Sequence, residues 1–262
     1  MIELARRDGR PLCIGHRGAP LVAPENTLRS FRAAIERGVD LVELDVLQVG
    51  SGDLVAAHSD DLREITHGAA EGVATGWTLS ALREVAPELP TLEEALDLFA
   101  NEAPWVGVHL DLKSGTAAEA LLASVRSFGL VERSLVTSFE RRALRRLSAL
   151  EPTLRTGVSY PRDRLGISDR RGSAPFIRAG FHVARPFSPL VARFLLARSY
   201  ASALVLHHQL VTAHTVRFCH ARGVPVIAWT VDDAAALRRL DEAGVDAVVV
   251  NNPELFVSTL VP

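Results

Sequence analysis

The sequence predicts an α/β fold, a (β/α)8 barrel. Short β-branched apolar runs alternate with amphipathic helical segments. About eight such pairs fit the 262 residues, and no linker divides them. A doubly wound parallel sheet is the rival arrangement, but the first turn lacks the glycine-rich pattern that such sheets carry.

The strands are expected at Leu12–Gly15, Leu41–Val46, Val106–Asp111, Leu135–Ser138, Leu154–Ser159, Ala203–Leu206, Val226–Trp229 and Ala247–Val250. Helices are expected at Thr27–Arg37, Leu92–Ala100, Ala117–Phe128, Arg141–Ala149, Val211–Ala221 and Ala234–Ala243. Asn26 or Thr27 suits the N-cap of the first helix. Gly38, Gly129, Gly223 and Gly244 follow helix ends, where a left-handed residue closes the last turn. Residues from about 50 to 90 and from about 161 to 200 are too long for simple connections and are expected to be functional or to carry small elements of their own.

Composition narrows the function. The net charge is −2, which argues against a nucleic-acid coat or a polybasic membrane anchor. Cys13 and Cys219 are the only cysteines and read as small buried hydrophobes, Cys13 toward the helices. The first ten residues lack the apolar stretch of a secretory signal, and no run reaches the roughly 18 apolar residues of a membrane span. A soluble, cytoplasmic protein is the expectation. Lys113 is the only lysine among the 29 basic residues. Arginine usage reads as background, which makes that one lysine conspicuous.

Strand alternation then separates two kinds of side chain. In Leu41–Val46 the even positions are apolar and suit burial under helices, whereas Glu43 and Asp45 share the face toward the barrel axis. The same parity turns His109, Asp111 and Lys113 inward. Carboxylates inside a barrel are costly unless they are paired or bound to a cation. They also fall at C-terminal strand ends, where barrel enzymes place their chemistry. A buried ion-pair network of Glu43 and Asp45 with arginines is the plain alternative. The larger cluster points instead to a hard oxygen-liganded cation, Mg²⁺ or Ca²⁺ rather than zinc.

Gly15-His16-Arg17-Gly18 ends the first strand, Pro24-Glu25-Asn26-Thr27 follows, and then come Glu43-x-Asp45 and His58. This order resembles the glycerophosphodiester phosphodiesterase family, whose hallmark is H-R-G…P-E-N-T…E-x-D…H-D. Thr91–Leu96 looks like the family's P-T-L-E-E segment, and Asp111-Leu112-Lys113 stands where E-I-K is usual. Thr137-Ser138-Phe139 is similar to S-S-F, and Trp229-Thr230-Val231 to W-T-V/N, so the resemblance covers nearly the whole chain.

The resemblance implies a TIM barrel spanning 1–262 with a small insertion after the second strand, at about 50–90. It implies metal-dependent hydrolysis of a glycerophosphodiester to an alcohol and glycerol 3-phosphate. The neighbouring glycerol hydroxyl attacks, and water then opens a cyclic phosphate. Glu43, Asp45 and Asp111 would hold the Mg²⁺ or Ca²⁺. His16 would be the first base and His58 the acid. Arg17 and Lys113 would hold phosphodiester oxygens, and Trp229 would form a wall against the glycerol. The alternatives are a lysophospholipid or another diester as substrate, or a catalytically weak phosphodiester-binding homologue.

Three departures stand out. Asp111 replaces a glutamate, Ser59 replaces the aspartate of H-D, and Asn251 and Asn252 stand where the final strand usually ends in T-D-x-P, with Pro253 kept, which removes a negative charge. Among the remaining polar residues, His109 reads as a satisfied core histidine. At most one of His207 and His208 faces inward, and His67, His182, His214 and His220 read as bystanders. Glu25 either braces Arg17 or a histidine, or favours the helix N-terminus. The arginines of 141–146 read as a solvated helix face. Phe176–Tyr200 mixes phenylalanines and arginines, with Pro189–Ser199 as an amphipathic helix. It would cap the site, touch lipid, pair two copies or simply pack locally.

Overall fold

The computed structural model describes residues 2–66, 68–162 and 174–261, with the side chains of 174–178 left aside. His67 and the side chains of Phe176 and Arg178 therefore lie outside the described residues.

Among the described residues nine strands form the sheet: β1 (Leu12–Gly15), β2 (Leu41–Gln48), β3 (Leu54–Ala56), β4 (Gly107–Leu112), β5 (Ser134–Ser138), β6 (Arg155–Tyr160), β7 (Ala203–His207), β8 (Val226–Trp229) and β9 (Ala247–Val250). Eight of them close a parallel barrel in the order β1-β2-β4-β5-β6-β7-β8-β9, with β9 pairing back onto β1. Each expected run falls on one of these strands, with ends displaced by at most two residues. The unexpected strand is β3, which pairs antiparallel with the overhanging end of β2, Val46 opposite Ala56 and Gln48 opposite Leu54. Three residues are too few to show a period.

Helices follow the strands and close where their glycines predict. Gly38, Gly129, Gly223 and Gly244 all have positive φ. Thr27, not Asn26, caps the first helix (Leu28–Glu36), its Oγ1 accepting the Ser30 N–H at 3.1 Å. Pro189–Ser199 is helical within Ser188–Ser199 but not amphipathic. Ala192 and Leu195 point inward, while Leu190 and Phe194 are exposed on the outer side.

Alternation sorts the strand side chains into two cores. Val42, Leu44, Val46, Val108, Leu110 and Val136 pack under the helices, together with Phe31, Phe99, Leu144 and Cys13. Truncating a buried ring such as Phe31 costs about 3–5 kcal/mol in comparable cores. Leu12, Ile14, Leu41, Leu135, Val205, Ile227 and Val249 fill the barrel interior, with Leu4 from the N-terminal segment. Between β2 and β4 a third cluster, including Leu47, Val55, Leu62 and Leu82, packs β3 against short helices. The barrel axis thus has an apolar floor below a polar layer. Register sets that layer: Glu43 lies opposite His109, Asp45 opposite Asp111, and Asp111 opposite Thr137.

Candidate active site

Beyond β1 the backbone bends sharply. Arg17 and Asn26 both take left-handed conformations, at φ 51 and 56. Such conformations cost a non-glycine residue free energy and persist where the surroundings over-determine them. Here the Arg17 N–H donates to Glu43 Oε2 at 2.8 Å, the Asn26 N–H donates to the Arg17 carbonyl at 3.1 Å, and Ser30 Oγ donates to the same carbonyl at 2.9 Å. Gly18, also at positive φ, is pressed so closely on Ser30 that a Cβ would collide with it.

This turn delivers Arg17 to the acidic layer. Glu43, Asp45 and Asp111 each offer an oxygen within 4.8 Å of the others, the first two buried and the third half-buried. Lys113 Nζ lies 2.5 Å from Asp45 Oδ1 and donates to Asp111 Oδ2 at 2.6 Å. Arg17 Nε is 3.0 Å from Asp45 Oδ2, and its Nη1 donates to Glu25 Oε1 at 2.7 Å, so Glu25 braces Arg17. Asn26 Nδ2 donates to Asp45 Oδ2 at 2.8 Å, and its Oδ1 accepts the Asp45 N–H at 3.1 Å. The ion-pair network foreseen for Asp45 is therefore present, with Lys113 as its second cation.

The partners split the carboxylates electrostatically. Burial alone would raise Asp45, but Lys113, Arg17 and His58 outweigh it and hold its carboxyl well below the usual range. Glu43 is pushed well above its usual value, first by burial and then by Asp45 and Asp111. Burial opposes the Lys113 charge, yet Asp111, Asp45 and Glu43 prevail and keep it protonated. Carboxylate oxygens crowded around an under-compensated Glu43 fit a hard divalent cation, so Glu43, Asp45 and Asp111 are the residues able to hold one.

The two site histidines differ. His16 is half-buried, with Nδ1 2.6 Å from Asn251 Oδ1, while Asn251 Nδ2 donates to Asp232 Oδ1 at 2.9 Å. With the amide nitrogen so engaged, the network assigns the proton to Nδ1 and leaves the Nε2 lone pair bare. Burial, then Arg17, lowers the His16 pKa. His58 is exposed on the insertion, with Nδ1 3.5 Å from Glu64 Oε2, which also accepts Ser59 Oγ at 2.7 Å. Beside it a cavity of 280 Å³ is lined by Glu25, Asn26, His58, Glu64 and Leu89.

His109 corrects an expectation, because it is only half satisfied. Its Nε2 donates to Thr137 Oγ1 at 2.8 Å, and Thr137 donates on to Asp111 Oδ1 at 2.8 Å. Its Nδ1 has no partner among the described residues, and burial pushes its pKa down to about 4. It is a prop for Asp111. Across the mouth the lining turns aromatic. Trp229 meets Phe139 edge-on at 6.1 Å and His207 at 5.6 Å, and His207 packs on Phe181 at 4.4 Å. Among the described residues Trp229 Nε1 is buried without a partner. Of the bystander histidines, His220 pairs with Asp246 at 2.7 Å. Asn26, Thr137, Glu64 and Asp232 escaped the sequence reading as site residues. Two of them carried a signal: Asn26 through its place in P-E-N-T, weighed only as a cap, and Thr137 through the strand end similar to S-S-F.

A profile of the glycerophosphoryl diester phosphodiesterase family matches residues 16–255. The chain belongs to that family. It is thereby a phosphoric diester hydrolase of the glycerophosphodiester-cleaving kind. A glycerophosphodiester phosphodiesterase of Caldanaerobacter subterraneus subsp. tengcongensis is 26% identical over 95% of this chain and 97% of its own. A Silicibacter pomeroyi structure superposes with a TM-score of 0.80, covering 98% of this chain and 95% of its own at 24% identity, and shows likeness of fold. An Oleispira antarctica phosphodiesterase, solved with the product sn-glycerol-3-phosphate, is 25% identical, with a TM-score of 0.73 over 97% of this chain and 98% of its own. No helix among the described residues is long and apolar enough to cross a membrane.

Proposed function

We propose that the barrel and its insertion act as one domain over 1–262, which splits a glycerophosphodiester into an alcohol and glycerol 3-phosphate. The observation that carries this reading is a histidine with a bare Nε2 beside Arg17 and three convergent carboxylates. Glu43, Asp45 and Asp111 would hold Mg²⁺ or Ca²⁺, which when bound would offset the negative charge of the phosphodiester. Arg17 and Lys113 bind the remaining phosphate oxygens, Arg17 through its planar fork and Lys113 as a point charge. Trp229 lies against the CH₂ faces of the glycerol.

His16 Nε2 takes the proton of the glycerol hydroxyl next to the ester, and its lowered pKa keeps it unprotonated at neutral pH. His58 protonates the leaving alcohol. Water then opens the cyclic phosphate: it gives its proton to His58 as it bonds to phosphorus, and His16 returns its proton to the glycerol oxygen that leaves. The products fit turnover of lipid-derived diesters and glycerol in the cytoplasm. The net charge of −2 argues against nucleic acid as a partner. The aromatic side of the mouth supports a second reading, a lysophospholipid whose acyl part lies along Phe139 and Phe181.

The test is glycerol 3-phosphate release from glycerophosphocholine, with and without chelator, for the wild type and His16→Ala. Chelation should abolish release, and the substitution should lower it by about 10²–10⁴-fold. No release by the wild type with Mg²⁺, Ca²⁺ or Mn²⁺ would sink the function. Release indifferent to chelator and substitution would sink the mechanism.

A further inference from the structure

The helical run after β6 turns an apolar face outward. Ala174–Ala184, Arg185–Phe187 and Ser188–Ser199 follow one another without a break. Val183, Phe187, Leu190 and Phe194 recur on it at helical spacing and are 70, 58, 64 and 49% exposed. They form a stripe along about 16 Å of helix. Inward-facing Ala192 and Leu195 serve the core, while the four outer side chains stand outside the buried cluster. A helix apolar on both sides and covered on one lacks a partner for the other.

Charge identifies that partner. Arg141 and Arg198 lie over the Phe194 ring, at 5.5 and 4.9 Å from its centroid, and Arg145 lies over Tyr200 at 5.1 Å. No Asp or Glu occurs from Ala174 to Val231. Tyr200, 66% exposed, is held left-handed at the helix end with its amphipathic ring at the border of the patch. On the neighbouring helix side, Glu140 lies beside Arg141 and Glu119 pairs with Arg146. Apolar side chains along one face, flanked by arginines and carried on a run with no carboxylate of its own, match an anionic phospholipid surface: acyl chains meet the stripe and phosphates meet the guanidinium groups. A two-fold pairing of copies through this face would oppose arginines to arginines.

The geometry points to this face as a reversible docking surface for anionic phospholipid membranes. The helix lies flat in the headgroup region. The stripe starts near the active-site mouth, where Phe181 of the same run packs on His207. The inference is independent of the proposed activity, and its test uses no substrate.

The full chain is co-sedimented with vesicles of phosphatidylcholine alone or mixed equally with phosphatidylglycerol, at low and high ionic strength. Binding should require phosphatidylglycerol and fall with salt. Phe187→Ser/Leu190→Ser should weaken it about tenfold or more. Arg145→Glu/Arg198→Glu should do the same, at about fivefold for each arginine lost. If the apolar pair unfolds, the arginine pair decides alone. Failure of the wild type to bind phosphatidylglycerol vesicles at low salt overturns the inference. So does equal binding to both vesicles, or binding that a folded variant retains in full. Light scattering that shows a dimer split by Leu190→Ser would give the face to a second copy and equally refute lipid docking.

Discussion

Two isosteric neutralisations in one carboxylate cluster should change stability in opposite directions. Glu43→Gln removes a buried charge that Asp45 and Asp111 repel, while its side-chain oxygen still accepts the Arg17 N–H. At the 4.8 Å limit of the cluster, a like-charged neighbour costs about 3.5 kcal/mol with an effective dielectric constant near 20. Two such neighbours are offset in large part by Lys113 and Arg17, which leaves a net gain of about 1–3 kcal/mol for the variant. Asp45→Asn instead removes the carboxylate on which Lys113 and Arg17 converge and should cost about 3–5 kcal/mol.

The pH dependence separates the two further. The Glu43 pKa is raised by folding, so the stability that its protonation contributes is complete below the ordinary glutamate value and lost as pH rises through the folded value. The advantage of Glu43→Gln is therefore absent near pH 4 and grows toward pH 8. The Asp45 pKa is lowered, so its contribution is present above the ordinary aspartate value and lost only in strong acid. Thermal unfolding in chelator at several pH values reads both, at about 2–4 °C per kcal/mol. Added Mg²⁺, Ca²⁺ or Mn²⁺ should then raise the wild-type Tm and leave Glu43→Gln nearly unmoved. A Glu43→Gln protein less stable than wild type at pH 8 without metal, or a difference that ignores pH, would refute the electrostatic account of the cluster.

Other outcomes are expected. Asn251→Asp places a carboxylate 2.6 Å from His16 Nδ1, which should raise the His16 pKa and move the acid limb of kcat/KM to higher pH; an unmoved limb would remove His16 as the base. Lys113→Arg should lose about 10²-fold or more in kcat, because a planar fork cannot replace an ammonium seated 2.5 and 2.6 Å from two carboxylates; near-wild-type turnover would make the lone lysine incidental. Cys13 and Cys219 should resist thiol reagents in the native protein, since burial pushes both thiols up, Cys219 to about 11; rapid labelling of either would contradict that burial.

The barrel was legible because its signal is local. A strand buried on both faces is a short apolar run, and parity alone turned Glu43, Asp45, His109 and Asp111 inward. The turn residues His16 and Arg17, and His58 on the insertion, lie outside any period and were found only through the family motif. What escaped both readings depends on contacts across the fold. Asp232 reaches His16 through Asn251, which is 235 residues from His16 in the chain. Thr137 gains its role only when β4 and β5 come into register. β3 exists because β2 overruns the barrel rim and offers an edge that three residues can pair with.

The three departures from the family pattern share a physical logic. Asp111 is one methylene shorter than the usual glutamate, and Thr137, backed by His109, holds it from one side while Lys113 holds it from the other. Ser59 has no charge of its own, but its hydroxyl bonds to Glu64, whose carboxylate lies beside His58. Asn251 is neutral, but its amide nitrogen is tied to the exposed carboxylate of Asp232. In each case a polar neighbour restores the missing bond or moves the missing charge one residue outward. That distance matters most at His16. A carboxylate in direct contact would stabilise its protonated form, whereas an amide fixes the same tautomer with less pull on the proton. The substitution keeps His16 oriented as an acceptor and biases it toward the neutral form that a base requires.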